Sequence, residues 1–343
     1  MLDDLKYIHE KDVVDTLGIA GRQPGQLLED FTFTVEPNFG EVFNVVFAGM
    51  GGSALAAEIV KEGLPVPFEI VRQYNIPQYV NGDTLFIASS YSGNTEETIE
   101  ALSQALDKGA QVVVIAAGGK LQQIAQEKNL PFLLLPVVDQ PRYAVFYSLK
   151  ATLTILARAG LMKMEDVTAQ LADAAKFLNE AVKAWAAEVP TDKNPAKQLA
   201  QELMGKSVVV YAGPRLWPAA YKWKISCNEN AKQVAWTNQL PEFNHNEFIG
   251  WSKQPTDKPY AVVDLRSDLE HPRVQKRFEV TARLLSGMRP EPHVVQAQGN
   301  TLAKQLLWTI TYGDFVTLYL ALLNGLNPAP VELVERFKKA LDE

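Results

Sequence analysis

The chain has 343 residues, 47% of them hydrophobic and 21% charged, which is globular composition with apolar mass for a large core. Its formal net charge of -7 excludes a dedicated nucleic-acid binder, which needs a basic face against the phosphates. A single cysteine, Cys227, excludes an intrachain disulfide and fits a reducing cytoplasm.

The opening segment Met1-Leu2-Asp3-Asp4-Leu5-Lys6 is acidic and polar, without the charged-then-apolar pattern of a targeting signal. No run of about 20 apolar residues stands out, so no membrane-spanning helix is expected. His9, His245, His271 and His293 are scattered, without the close pairing that zinc sites favour. Neither a protein-built metal site nor a cofactor is expected.

Along the chain, 43–49 is a short apolar run closed by glycine, as in a strand buried on both faces of a parallel sheet. A helix is expected from Ser53 to about Glu62, then strands at 68–71 and 84–88. The segment 95–108 has helical spacing, with Ile99, Leu102 and Leu106 on one face. Strands at 112–116 and 132–135 and a helix at 144–159 complete an alternation that indicates a doubly wound α/β domain. A polar, alanine-rich helical region follows over 165–204, interrupted at Pro190. The run 207–213 then repeats the strand-Ala-Gly arrangement of 43–49. It is followed by a helix, a strand at 260–265, a charged helix near 272–286 and a strand at 293–296. Helices at 301–323 and 330–341 end the chain. The expected fold class is α/β, a degenerate tandem of one doubly wound parallel-sheet unit with a helical C-terminus, divided into 1–160 and 161–343.

Two segments of the first half join a strand to a helix and are rich in glycine and hydroxyls, Gly49-Met50-Gly51-Gly52-Ser53 and Ser90-Tyr91-Ser92-Gly93-Asn94-Thr95. A helix start offers unpaired N–H groups and partial positive charge, so it attracts a phosphate. Open α/β sheets place ligands at the C-terminal ends of their strands. The glycines alone are a weak signal, and Thr95 would also serve as a plain N-cap backed by Glu96 and Glu97. Three hydroxyls within six residues exceed what capping requires. The second half carries Gly213-Pro214-Arg215-Leu216-Trp217 at the matching turn, without the glycines and the hydroxyl.

The stretch from Ser90 to Thr98 resembles the signature of sugar isomerase (SIS) domains, in which this loop grips a sugar phosphate. Two further segments, from Lys224 to Lys232 and from Leu240 to Trp251, are similar to the bifunctional phosphoglucose/phosphomannose isomerase family. Pro141-Arg142, Gly313-Asp314 and Asn327-Pro328 extend the resemblance along the whole chain. It implies two SIS-type subdomains of three-layer αβα form and an aldose–ketose isomerase for glucose 6-phosphate, fructose 6-phosphate and mannose 6-phosphate. Such chemistry moves a proton between C1 and C2 through a cis-enediol(ate). It needs one base within reach of both carbons, an acid–base group to open the ring, and a cation to steady the charge.

The resemblance implies Glu229 as the base, His245 and Lys338 in ring opening, and Arg142 as the substrate-holding cation. Gly52, Ser53, Ser90, Ser92 and Thr95 fall on the substrate-binding positions. It also implies a cytoplasmic homodimer with shared active sites, His245 coming from the neighbouring subunit. Read without it, Glu229 suits a solvated ion-pair partner, His245 a structural role, Arg142 a strand cap and Lys338 a solvated helix face, with Lys339 adjacent. Glu242 and Glu247 are rival carboxylates of structural character. Trp223, Trp236 and Trp251 suit core or interface packing. Tyr143 and Cys227 depart from the family's usual residues without removing a functional group. The rival readings are an isomerase for another sugar phosphate, and a non-catalytic sugar-phosphate sensor.

Overall fold

The computed structural model describes residues 1–253 and 259–341, except for the side chains of Lys253, Lys338 and Lys339. Two compact units result, one formed by 23–176 and the other by Met1–Arg22 together with Phe177–Glu343. The expected boundary at 160/161 follows the end of helix Val145–Arg158, whereas the compact units divide within the next helix, Met164–Ala181. The N-terminal residues belong with the C-terminal unit for a visible reason. The Asp3 carboxylate accepts from the Thr191 backbone N–H at 2.9 Å and from its hydroxyl at 2.8 Å, and the Tyr7 hydroxyl donates to the Leu322 carbonyl at 2.6 Å. The Thr191 hydroxyl in particular holds the Asp3 carboxyl below its usual range.

In the unit 23–176, strands β1 (Asn44–Ala48), β2 (Phe68–Val71), β3 (Thr84–Ser89), β4 (Gln111–Ala116) and β5 (Phe132–Leu134) form a parallel sheet of order β2-β1-β3-β4-β5. All six residues of β3 are buried, as a continuous apolar run covered on both faces requires. Helix Glu96–Asp107 lays Ala101, Leu102 and Ala105 into a cluster with Val46, Phe86 and Val114. Each Val or Phe fully buried there contributes about 1.5–3 kcal/mol of transfer free energy. The strand order reverses between β1 and β3, so the crevice beyond their C-terminal ends is the topological switch point where such sheets bind ligands.

In the other unit, β6 (Ser207–Ala212), β7 (Ala235–Gln239), β8 (Tyr260–Arg266) and β9 (His293–Gln296) form a second parallel sheet of order β7-β6-β8-β9. This matches the first four strands of the other sheet, position for position, as the tandem reading expects. One face is covered by a cluster that includes Tyr211, Phe243, Trp251, Val262 and Phe278. On the helical side, Trp217–Ala231 and Leu302–Leu323 pack together. The Trp223 indole N–H donates to the Thr309 carbonyl at 2.8 Å across that contact. Gly313 makes room for it, since a Cβ there would lie 2.1 Å from the indole nitrogen.

Several elements leave little trace in the sequence. Strand β7 has no apolar run because Thr237-Asn238-Gln239 is polar and the strand lies on the sheet edge, where only Ala235 is buried. Helices Leu5–Lys11, Thr16–Gln26 and Gly119–Glu127 are also additions to the expected elements; the second holds Pro24 inside it, which weakens a helical pattern. The helix expected at 301–323 is present as Leu302–Leu323. Helix Leu302–Leu323 has an 18-residue window of mean hydropathy 1.5 and is long and apolar enough to cross a membrane, but 94% of that window is buried within the chain. Among the described residues that burial marks it as a core helix of this fold.

Candidate active site

The hydroxyl loop is built by the end of β3 and the start of helix Glu96–Asp107. The Ser90 and Thr95 hydroxyls share a hydrogen bond at 2.8 Å, and Ser90 and Ser92 approach at 3.4 Å. Thr95 sits at the N-cap position with extended backbone, yet its side chain makes no capping bond to the helix. Its hydroxyl is committed to the loop. The first-turn N–H groups of a 12-residue helix are therefore left without a Thr95 cap, which favours an anion there. Glu96, the first helical residue, instead accepts from the Tyr74 hydroxyl, a bond that pushes the phenol up to about 12.

The glycine loop after β1 joins this one directly. The Ser53 hydroxyl accepts from the Tyr91 N–H at 3.1 Å, and a Cβ on Gly49 would lie 2.9 Å from the Ser89 carbonyl. Arg142 enters from the short 3-10 turn Pro141–Tyr143. Its Cα would lie 3.7 Å from a Cβ on Gly52. Arg142 is only 3% exposed; its guanidinium donates to Gln140 Oε1 at 3.2 Å and lies 4.8 Å from the centre of the Tyr143 ring. The Tyr143 ring thus forms a floor for Arg142. The structure brings Gly52, Ser53, Ser90, Ser92, Thr95 and Arg142 together within one unit.

A third loop was missed by sequence reasoning. Gly93 (φ +68°) and Gly119 (φ +71°) press the hydroxyl loop against the start of helix Gly119–Glu127. The Leu121 N–H donates to the Gly93 carbonyl at 2.9 Å, and the Lys120 N–H to Asn94 Oδ1 at 3.0 Å. The pair Gly118-Gly119 after β4 was the signal available.

The matching turn of the second sheet is filled by the protein itself. Beyond β6, the Glu270 carboxylate accepts from the Arg215 N–H at 2.9 Å through one oxygen and from the His271 N–H at 3.0 Å through the other. A Cβ on Gly213 would lie 2.3 Å from Glu270 Oε2. The two N–H groups come from the loops after β6 and β8, the counterparts of the two loops after β1 and β3. The turn of the second sheet is thus closed by a carboxylate of the chain itself.

Glu229 lies near the C-terminal end of helix Trp217–Ala231 and is half-buried. Its surroundings are tightly fixed. The Asn228 side chain accepts from the Ala235 N–H at 3.0 Å, tying the helix end to β7. Lys232, in left-handed backbone at φ +50°, donates to the carbonyls of Glu229, Asn230, Asn327 and Pro328 at 2.9–3.3 Å. On the buried face, the Lys222 ammonium donates to Asp314 and, at 2.7 Å, to the Ser226 hydroxyl, while Asn230 donates to the Thr317 hydroxyl at 3.0 Å. Lys222 and Asp314 are both fully buried. Cys227 is buried too, and burial pushes its thiol up to about 12, which leaves it an unreactive packing group.

His245 ends the short turn Glu242–His245 and is exposed. Glu247 is a structural group, accepting from the Tyr211 hydroxyl and from Asn238 Nδ2 at 2.6 Å. Burial first, then Glu247, raises the Tyr211 phenol above its usual range. Trp223 and Trp251 are buried, whereas Trp236 is half exposed on the sheet edge. The side chain of Lys338, on helix Glu332–Leu341, lies outside the described residues.

Comparison with known proteins gives a consistent result. Residues 42–162 match the SIS domain family, and 192–341 match the bacterial phospho-glucose isomerase C-terminal SIS domain. The chain is 33% identical to a bifunctional phosphoglucose/phosphomannose isomerase of Caldicellulosiruptor bescii, over 88% of this chain and 91% of the relative. It is also 33% identical to a D-glucosamine-6-phosphate 4-epimerase of Sulfolobus acidocaldarius, over 64% of this chain and 67% of that one. In structure it is similar to a glucose-6-phosphate isomerase like protein from Thermus thermophilus, with a TM-score of 0.67, 19% identity and 98% of each chain covered. The last likeness concerns the fold alone.

Proposed function

This chain belongs to the bifunctional phosphoglucose/phosphomannose isomerase family, and from that membership we propose that it interconverts fructose 6-phosphate with glucose 6-phosphate and mannose 6-phosphate. The observation that carries the phosphate part is Thr95, whose hydroxyl turns to Ser90 and leaves its own helix uncapped. Ser53, Ser90, Ser92 and Thr95 offer neutral donors to the phosphate, and Gly52 lets its backbone come close.

For the chemistry, Glu229 takes the proton from C2 of the open-chain aldose. The C–H electron pair becomes the C1–C2 double bond, and the carbonyl pair moves onto O1, giving the cis-enediol(ate). The proton returns to C1 while the O2 proton passes to O1, and fructose 6-phosphate results. Rotating the C1–C2 unit about the C2–C3 bond presents the other face to the same carboxylate, which admits the mannose epimer. Arg142 is assigned the enediolate charge. His245 and Lys338 are assigned to opening the ring, and the exposure of His245 suits a group that serves a second copy of the chain in a homodimer. No step calls for a metal or cofactor.

The test is Glu229→Gln. Turnover falls by about a hundredfold or more while fructose 6-phosphate binding, read by calorimetry, stays within a few-fold. Mixed and refolded with inactive His245→Gln, it recovers about a quarter of native activity, since one site in each mixed dimer is whole. Native turnover in the Glu229→Gln chain removes Glu229 as the base, and no recovery on mixing removes the shared site.

A further inference from the structure

His245 stands on a turn that cannot hold itself. Glu242–His245 is a single 3-10 turn, too short for internal bonds to fix its geometry, and the imidazole is exposed. Its neighbours are nevertheless pinned from three directions. Phe243 is fully buried, 4.5 Å from the Tyr211 ring centre. Asn246 donates to Glu242 Oε1 at 2.6 Å, and its own side-chain oxygen accepts from the Glu247 N–H at 2.6 Å. Asn244 reaches across to helix Pro272–Leu284, where its amide donates to the Thr281 hydroxyl at 2.9 Å and its oxygen accepts from Arg277 at 3.2 Å. Thr281 is 4% exposed and sits on a 13-residue helix whose Val274 and Phe278 belong to the core.

Asn244 thus bonds to a rigid, distant element on both its donor and its acceptor side, immediately before His245 in the chain. Fixing the peptide planes of 243, 244 and 246 leaves residue 245 few directions in which to point. We propose that Thr281 and Arg277 act through Asn244 as positioning residues for His245, so that helix Pro272–Leu284 aims the imidazole. The inference rests on the ring-opening role put forward above for His245. A general acid–base group displaced by about 1 Å loses about a hundredfold in rate, so the anchor has a kinetic consequence well beyond its own bond.

The test uses the full-length chain and four variants, Thr281→Val, Thr281→Ser, Asn244→Ala and the Thr281→Val/Asn244→Ala double, with His245→Gln beside them. Thr281→Val keeps the shape and removes the hydroxyl. It lowers kcat for fructose 6-phosphate by about tenfold, with KM within about twofold and an unchanged thermal midpoint. Thr281→Ser restores kcat. The double variant loses no more than the larger single loss, because both changes cut one connection. Should Thr281→Val fail to fold, the half-buried Asn244→Ala carries the same kcat-against-KM reading. Native kcat in both Thr281→Val and Asn244→Ala, with His245→Gln inactive, overturns the anchor and leaves the ring-opening role standing. Losses that add in the double variant, or that Thr281→Ser does not restore, overturn it in favour of packing. Native turnover in His245→Gln instead removes the reading on which the inference rests.

Discussion

Gly93 holds φ at +68°, and a Cβ placed on it would lie 1.8 Å from the Gly118 carbonyl oxygen. The close approach excludes a side chain, and the backbone conformation disfavours one. The left-handed backbone costs a non-glycine residue about 1–2 kcal/mol before the clash is counted. Gly93→Ala is therefore expected to destabilise the chain by more than that, read as a lowered midpoint in denaturant, and to weaken inorganic phosphate binding as the hydroxyl loop shifts. Native stability and phosphate affinity in that variant would rule out the close seating of this loop. Residues of this kind were partly legible. Ser90, Ser92 and Thr95 stood out as one hydroxyl cluster because their hydroxyls outnumber the needs of a cap. Glu270 did not, since an acidic residue in a loop has no local pattern that tells which distant N–H groups it meets. Thr281 and Arg277 were hidden for the same reason.

Helices Trp217–Ala231 and Leu302–Leu323 show how an element carries its polar residues inside. Lys222, Ser226 and Asn230 recur every four residues on one helix and meet Asp314 and Thr317 on the other. The Ser226 hydroxyl donates to the Asp314 carboxylate at 2.9 Å, so the buried charge is bonded from two side chains. Removing one partner strands a charge in the core. Asp314→Leu alone is expected to cost about 3–5 kcal/mol in denaturant unfolding, and Lys222→Met/Asp314→Leu together considerably less. Equal losses in the single and double variants would show that packing, not charge, governs this contact. The spacing on Trp217–Ala231 is readable in the sequence, but a helix with Lys and Glu reads as solvated until its partner is known. The apolar run in the partner helix was legible as a helix over nearly its full length. Strand β7 was lost because a polar edge strand buries too little to leave an alternating pattern.

The chain repeats one sheet topology, β2-β1-β3-β4 and β7-β6-β8-β9, and treats the two switch points differently. The first keeps hydroxyls and an uncapped helix start. The second closes its turn with Glu270. The alternation of strands and helices made the repeated α/β architecture readable, because buried parallel strands leave continuous apolar runs. The assignment of Met1–Arg22 to the C-terminal unit was not readable, as it depends on Asp3 and Tyr7 meeting residues far along the chain. Under the proposed function, the open copy takes phosphate anchoring as its task, and the reaction falls to the segments around Glu229 and His245.

The most direct measurement of that division is a coupled assay of the purified chain with fructose 6-phosphate, in buffer containing a chelator, with glucose 6-phosphate and mannose 6-phosphate read separately. Both aldoses are expected to form, at rates that the chelator leaves unchanged. Formation of neither by the folded chain would contradict the proposed isomerase, and activity that the chelator abolishes would contradict its metal-free chemistry.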